Sequence, residues 1–196
     1  MGNLLEVKHL SVAFHTAIGK AEAIRDLSFS VAEGEVVGIV GESGSGKSVT
    51  SLTIMGLLND KNARISSGEI LFKGKDLLKI SEKEMCKIRG AEITMVFQEP
   101  AMALNPVIKI EKQLQEIYKI HQPEKLKTCH GELVRILEEL RIPDAEQVLK
   151  KYPFQLSGGM KQRIMIAMAM LSKPKLLIAD EPTTALDVTM QAEILD

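Results

Sequence analysis

The sequence is poor in several residue types whose abundance marks particular classes of protein. It has no tryptophan, and aromatic residues make up only 4% of its 196 residues, so it offers no row of rings on which single-stranded nucleic acid would stack. Its formal net charge of −1 excludes a strongly basic surface that binds nucleic acid by bulk electrostatics. The two cysteines, Cys86 and Cys129, lack metal-ligand spacing and form no disulfide framework, which fits a reducing cytosol.

Long apolar segments are also missing. No run approaches the roughly 20 residues that a membrane-spanning helix needs, and the first residues lack the basic and apolar regions of a signal peptide. If the protein acts at a membrane, we therefore expect it to act through a partner that spans it. With 45% hydrophobic and 26% charged residues, the chain has an ordinary globular composition. Its length suits one α/β domain with a small inserted subdomain.

The first third of the sequence has the pattern of strands and turns. Residues 4–14 and 23–31 alternate as half-buried strands, and the continuous apolar run 36–40 predicts a strand buried on both faces of a parallel sheet. A helix is predicted over 49–58, followed by a polar connector over 59–67.

The segments that follow alternate between short strands and helices. A short strand is predicted over 69–72, and a helix over 81–88, where Ser81 and Glu84 have the spacing of a capping box. An apolar strand is predicted over 93–97.

The later part of the chain is predominantly helical in pattern. Residues 107–149 show helical periodicity and predict a helical subdomain inserted between two strands of the main sheet. A methionine-rich helix over 161–171 and a final buried strand over 176–179 follow. Because methionine is a common filler of apolar gaps, we expect the helix methionines to lie in the core: Met165, Met168 and Met170.

The strongest chemical pattern is a glycine-rich loop between the predicted strand at 36–40 and the following helix. It fits G-x-x-x-x-G-K-[ST], in which backbone N–H groups and a helix N-terminus face phosphates. Lys47 would reach the β- and γ-phosphates of a nucleotide, and the Ser48 hydroxyl would bind Mg²⁺. The alternative is a flexible glycine and serine turn, which the flanking strand and helix disfavour. The residues of the loop are Gly41, Glu42, Ser43, Gly44, Ser45, Gly46, Lys47 and Ser48.

A second pattern places two acidic residues at the end of the strand predicted over 176–179. A carboxylate there is suited to holding Mg²⁺, and its neighbour is suited to orienting an attacking water. Asp180 fits the metal role and Glu181 the role of general base. Taken alone, an apolar run that ends in two acidic residues is as often simply a strand whose end reaches the solvent.

A third pattern, Ser157-Gly158-Gly159, lies directly before the methionine-rich helix. A helix N-terminus with a serine and two glycines is a potential anion site, although a plain helix cap with a glycine hinge has the same residues. The chain thus has two potential anion sites but only one glycine-rich phosphate-binding loop (the P-loop, residues 41–48). This suggests that each nucleotide is shared between two copies.

Together these motifs resemble those of the ATPase subunits of ABC transporters, in the same order and over essentially the whole chain. Residues 41–48 resemble the Walker A motif, 156–160 the signature motif and 176–181 the Walker B motif. Gln98 resembles the glutamine of the Q-loop, and residues 185–187 resemble the D-loop.

Finer patterns resemble the branch that imports oligopeptides and dipeptides, which also includes nickel and glutathione importers. They lie at residues 97–106, 159–163 and 179–189. Met160 stands where many family members have glutamine, a variant that is similar to this branch.

The resemblance implies an α/β P-loop NTPase fold with an N-terminal antiparallel β subdomain. It implies one nucleotide-binding domain over 1–196, incomplete at its C-terminus, with a helical subdomain over about 101–160. Phe14 would stack on adenine, where tyrosine is commoner, although a strand aromatic also suits a core. Gln98 would contact Mg²⁺ or the lytic water, with Ser48 and Asp180 as further metal ligands. Ser157, Gly158 and Gly159 would cover the γ-phosphate held by the partner copy, and Asp187 would act at the dimer interface.

One element of the family is missing from the sequence. All four histidines precede residue 180, and the 15 residues after Glu181 contain none, so the switch histidine is absent. We therefore expect the sequence to be a fragment of a longer protein. A parallel sheet that lacks its last strands exposes an unpaired edge, so lowered stability and aggregation are also expected.

The function implied by the resemblance is ATP-driven uptake of peptides or a similar small solute. Its cofactors would be ATP and Mg²⁺, and its partners a second ATPase subunit, membrane-spanning permeases and, indirectly, a solute-binding protein. The chain would lie peripherally on the cytoplasmic face of the membrane. One alternative is a soluble ABC-type ATPase of translation or DNA repair, but residues 107–149 are too short for a long coiled-coil insertion. Another is a P-loop kinase or GTPase outside this family, which the signature-like loop disfavours.

Overall fold

A computed structural model describes residues 2–16, 19–58, 61–98 and 103–181. The chain divides into two compact units, Met1–Arg89 and Gly90–Asp196. No helix in the described ranges is both long and apolar enough to cross a bilayer. The single domain over 1–196 and the helical subdomain over about 101–160 remain predictions.

The first unit is built on a four-stranded antiparallel sheet in the order β2-β1-β3-β4. Its core lies on the face that Leu5, Val7, Leu10 and Ile70 share, all of which are fully buried. The long β1–β2 hairpin confirms the two strands predicted from alternation. The strands are β1 (Asn3–Thr16), β2 (Gly19–Ala32), β3 (Ala63–Phe72) and β4 (Lys75–Asp76).

The third strand begins earlier than the sequence pattern indicates. The prediction of a polar connector is wrong for residues 63–67, because β3 already pairs with β1 from Ala63, which lies opposite Phe14. Most of these residues are exposed, so the alternation that marks a half-buried strand is weak there. The backbone hydrogen bonds to β1, and not side-chain burial, define this part of the strand.

The apolar run 36–40 is not a strand, which contradicts the sequence-based prediction. It has no regular secondary structure, and Val36 and Val40 are each 96% exposed. Hydrophobicity alone does not create a strand, because the backbone N–H and C=O groups need a neighbouring strand as partner. Among the described residues, no strand pairs with this run.

Among its described residues, the first unit also has two α-helices, α1 (Lys47–Ile54) and α2 (Glu82–Ile88). Helix α1 is shorter than predicted and ends at Ile54. Arg89, which follows α2, donates hydrogen bonds to the carbonyl oxygens of Met55 and Gly56 at 2.7 and 2.9 Å. It also forms an ion pair with Glu82, so one guanidinium joins the ends of both helices.

In its described residues, the second unit combines a two-stranded parallel sheet with four α-helices. Its strands are β5 (Ile93–Val96) and β6 (Leu176–Ala179). The helices are α3 (Ile110–His121), α4 (His130–Glu139), α5 (Ala145–Leu149) and α6 (Gly158–Leu171). The helical region predicted over 107–149 is confirmed.

Helix α6 links the helices of this unit to its sheet. Ile164 and Ala167 lie in the helical core, while Met165 and Ile166 pack with Val96 of β5. The core position expected for the methionines is right for Met165 and wrong for Met170, which is 39% exposed, while Met168 packs partly buried against the helical core. Strand β6 is less buried than predicted, since Leu177 is 44% exposed.

Candidate functional site

The glycine-rich loop lies immediately before α1, in the position that a phosphate-binding loop requires. Gly44 and Gly46 have φ angles of 81° and 94°, in the left-handed region that favours glycine. A Cβ at Gly46 would also collide with the carbonyl oxygen of Ala23 on β2. The motif glycines are therefore needed both for the turn and for the close approach of β2.

Lys47 is the first residue of α1 and folds back over the loop. Its Nζ donates hydrogen bonds to the carbonyl oxygens of Gly41 and Glu42 at 2.8 and 2.9 Å. The ammonium group thus lies beside a helix N-terminus, where the helix dipole favours anions. Ser48 is the second helix residue, and Ser43 and Ser45 are exposed on the loop.

Phe14 lies on β1 in the same unit as the P-loop. It is half-buried and pairs with Ala21 on β2 and Ala63 on β3. Both of these cross-strand neighbours are alanines, which have small side chains. Its stacking on adenine stays a prediction.

The second unit brings Gln98 and Glu181 together, although 83 residues separate them in sequence. The Gln98 Nε2 atom donates a 2.6 Å hydrogen bond to Oε2 of Glu181. Both residues follow strands of the parallel sheet, in which Val96 lies opposite Ala179. The parallel register carries the two chain segments to the same sheet edge, where ligands of open α/β sheets commonly bind.

Asp180 lies at that same edge. Its backbone N–H donates to the carbonyl oxygen of Val96 at 3.0 Å, which extends the β5–β6 pairing by one bond. The next residue, Glu181, has a φ of 48°, an uncommon conformation for a non-glycine residue. The turn away from the strand therefore begins at the predicted general base.

The predicted anion site before α6 has the geometry of a helix N-cap. Ser157 has extended backbone angles, and its Oγ accepts a hydrogen bond of 3.3 Å from the backbone N–H of Met160. Gly158 and Gly159 form the first turn of the helix. The capping and anion-binding interpretations both remain compatible with this arrangement. Asp187 lies outside the described residues.

Gln113 anchors the loop at 105–108, a role that the sequence analysis missed. Its side chain is 5% exposed and accepts from the backbone N–H of Asn105 at 2.9 Å. It also donates to the carbonyl oxygens of Asn105 and Ile108 at 3.0 and 2.7 Å. The sequence feature that could have identified Gln113 is its place as a polar residue in the apolar stripe of α3, beside Leu114.

Comparison with known proteins identifies relatives of the chain. It is 52% identical over 196 residues to the dipeptide transport ATP-binding protein DppD of Bacillus subtilis (strain 168), matching all of this chain and 58% of that protein. It is 50% identical over 192 residues to the oligopeptide transport ATP-binding protein OppD of Escherichia coli (strain K12), matching 98% of this chain and 56% of that protein. The chain therefore spans somewhat more than half the length of these relatives.

Solved structures agree with this similarity. A dimeric structure of a bacterial ABC transporter cassette superimposes with a TM-score of 0.81 at 26% identity, covering 97% of this chain and 79% of that one. Its match confirms the predicted α/β P-loop NTPase fold. The family model of ABC transporters matches residues 24–184, which include the loop at 41–48, Gln98, Ser157 and Glu181. The chain belongs to the ABC transporter family.

Proposed function

We propose that this chain is the ATP-binding and ATP-hydrolysing cassette of an importer for peptides or a similar small solute. The observation that carries the proposal is the P-loop before α1, with Lys47 placed beside the helix N-terminus. A γ-phosphate would replace the loop carbonyls as the partner of the ammonium group. The Lys47 ammonium group would then donate to a charged acceptor in place of two neutral ones, which strengthens its hydrogen bonds.

Hydrolysis is supported by the arrangement at the carboxyl edge of the parallel sheet. A water that attacks the γ-phosphate must be oriented and partly deprotonated, and the Glu181 carboxylate is suited to accept its proton. The amide of Gln98 holds that carboxylate through a 2.6 Å hydrogen bond. Gln98 would thus position the base, and the P-loop would neutralise the charge that develops on the phosphate.

Mg²⁺ is proposed as the metal that accompanies ATP. The Ser48 hydroxyl, the Asp180 carboxylate and the amide oxygen of Gln98 are all oxygen donors, which this cation prefers. The hydrogen bond to Glu181 uses the Nε2 atom of Gln98. The Oε1 atom of Gln98 would therefore be the one that binds Mg²⁺, and the three oxygen donors fit this cation. When bound, the metal would supply charge neutralisation on the phosphates.

The proposed partners follow from family membership and from the relatives. A second cassette would place its Ser157, Gly158 and Gly159 on the γ-phosphate held by this chain, and Asp187 would act at the same interface. Membrane-spanning permeases would hold the pair peripherally at the cytoplasmic face, and a solute-binding protein would act with them. The names of the relatives, which transport dipeptides and oligopeptides, support a peptide solute.

Equilibrium binding of Mg-ATP to the 196-residue chain tests the proposal. Lys47→Ala should weaken binding about tenfold or more, because charge-assisted hydrogen bonds to the phosphates are lost. Lys83→Ala is the matched control, since Lys83 is also a helical lysine but lies exposed on α2. Unmutated chain that binds no Mg-ATP, or equal binding by the Lys47 and Lys83 variants, would contradict the proposal.

A further inference from the structure

The ring of His130 lies between two carboxylates from two other helices. His130 is the first residue of α4, and its Nδ1 lies 3.0 Å from Oε1 of Glu111 on α3. Its Nε2 lies 3.3 Å from both carboxylate oxygens of Glu146 on α5. One imidazole therefore bridges three helices of the second unit.

The protonation state of the ring decides whether both contacts are hydrogen bonds. An ionised carboxylate only accepts hydrogen bonds, and a neutral imidazole carries one N–H group. Only the imidazolium form donates from both nitrogens at once. The observed geometry, with an acceptor facing each nitrogen, thus matches the charged ring.

The surroundings of His130 make this charge depend on the two glutamates. The N-terminus of a helix disfavours a cation, so the position of His130 on α4 opposes its protonation. The other groups nearby have partners of their own: Gln115 of α3 donates to Glu111, and Lys173 after α6 pairs with Glu132 of α4. Arg163 of α6 donates hydrogen bonds to the carbonyl oxygens of Leu140 and Arg141 at the opposite end of α4. Cys129, the residue directly before α4, is buried.

We propose that His130 is a protonation-dependent clamp that ties α3, α4 and α5 together when its imidazolium donates to Glu111 and Glu146. Above the pH at which the ring loses its proton, one of the two hydrogen bonds is lost and the clamp opens on that side. The inference concerns the helical part of the second unit and does not depend on nucleotide binding.

The direction of the pKa shift agrees with the geometry. Hydrogen bonding to Glu111, and then to Glu146, raises the pKa of His130 above its ordinary value of 6.5. A group whose pKa is raised by folding stabilises the protein fully below the unfolded pKa. That stabilisation is lost as the pH rises through the folded pKa, so the clamp weakens above about pH 6.5.

Nuclear magnetic resonance titration of the histidine rings in the 196-residue chain tests the first half of the proposal. We expect the pKa of His130 to lie above 6.5 and to fall in Glu111→Gln and in Glu146→Gln. His121, in the same unit, is an internal reference, because burial lowers its pKa. Asp26→Asn is a matched control that breaks the exposed pair of His9 and Asp26 and should leave His130 unchanged.

Urea unfolding between pH 5.5 and 8.5 tests the second half. The unfolding midpoint should fall with rising pH more steeply in the unmutated chain than in His130→Gln, which does not titrate. A His130 pKa at or below that of His121 would overturn the clamp. An equal pH dependence of the two proteins would overturn it as well, because a ring that gains hydrogen bonds on folding must make the stability depend on pH.

Discussion

The side-chain amide of Gln98 donates a 2.6 Å hydrogen bond to the carboxylate of Glu181. The two residues follow neighbouring parallel strands, so the register of β5 and β6 places Gln98 against the proposed general base. This contact links the segment that follows β5 to the segment that follows β6. It is the most direct structural support for a hydrolytic site in the second unit.

Replacing the carboxylate should separate nucleotide binding from turnover. Glu181→Gln keeps the size of the side chain but removes the proton acceptor, so we expect ATP turnover to fall at least about 100-fold. Mg-ATP binding should change little, since the P-loop is intact. The measurement is steady-state phosphate release beside equilibrium binding; an unchanged turnover rate would exclude Glu181 as the base. Glu116→Gln, on the exposed face of α3, is the control.

A methyl group at Gly46 should destabilise the first unit. Its φ of 94° is unfavourable for alanine, and the added Cβ would collide with the Ala23 carbonyl. We expect Gly46→Ala to lower the free energy of unfolding by about 1–3 kcal/mol. Gly131→Ala is the control, because a Cβ there meets no atom within 4 Å and alanine favours a helix. Similar urea midpoints for the two variants would show that the left-handed turn carries no strain.

The buried amide of Gln113 should be costly to remove. Gln113→Leu leaves the N–H of Asn105 and the carbonyl oxygens of Asn105 and Ile108 without this partner. Because buried polar groups without partners are penalised, we expect a loss of about 1–3 kcal/mol in the free energy of unfolding. Gln147→Leu makes the same change at an exposed position of α5. If both variants unfold at the same urea concentration, Gln113 does not hold the loop.

The hydrogen bonds of Glu84 to Lys75, and to Ser81 of the α2 capping box, should produce a defined acid dependence. The ammonium of Lys75, together with the backbone and hydroxyl of Ser81, lowers the pKa of Glu84 from 4.5 to about 2. A carboxylate with a lowered pKa stabilises the fold above its unfolded value and loses this effect as the pH falls toward the folded value. The Glu84 contribution should therefore be complete above about pH 4.5 and vanish near pH 2.

Urea unfolding between pH 2 and 6 measures this contribution. Glu84→Gln should flatten the acid dependence of the midpoint, and Ser81→Ala should cost about 0.5–2 kcal/mol at neutral pH through loss of the N-cap. An acid dependence in Glu84→Gln as steep as in the unmutated chain would contradict the role given to the capping box.

Local patterns predicted the elements whose causes are local. The spacing of Ser81 and Glu84 predicts a capping box, and the structure has both of its hydrogen bonds. In the loop at 41–48, Gly44 and Gly46 have left-handed φ angles directly before a helix, the context that a phosphate-binding loop requires. Periodicity also located the helices between residues 107 and 149, because an amphipathic helix carries its buried stripe in its own sequence.

Other features depend on residues that are distant in sequence. The run 36–40 is apolar enough for a buried strand, yet no described strand supplies its backbone partners. The reverse holds for residues 63–67, which are mostly exposed and nevertheless form part of β3, because β1 provides the hydrogen bonds. In both cases the pairing of backbone groups, and not hydrophobicity, decides the outcome.

The sequence by itself determined the family, the P-loop and the identity of the acidic pair at 180–181, since these are properties of contiguous motifs. Only the tertiary structure decided that Gln98 holds Glu181, that Gln113 holds the loop at 105–108, and that His130 lies between Glu111 and Glu146. Hydrogen bonds between side chains act over about 3 Å, so they depend on strand register and helix packing, which bring residues together across many positions of sequence.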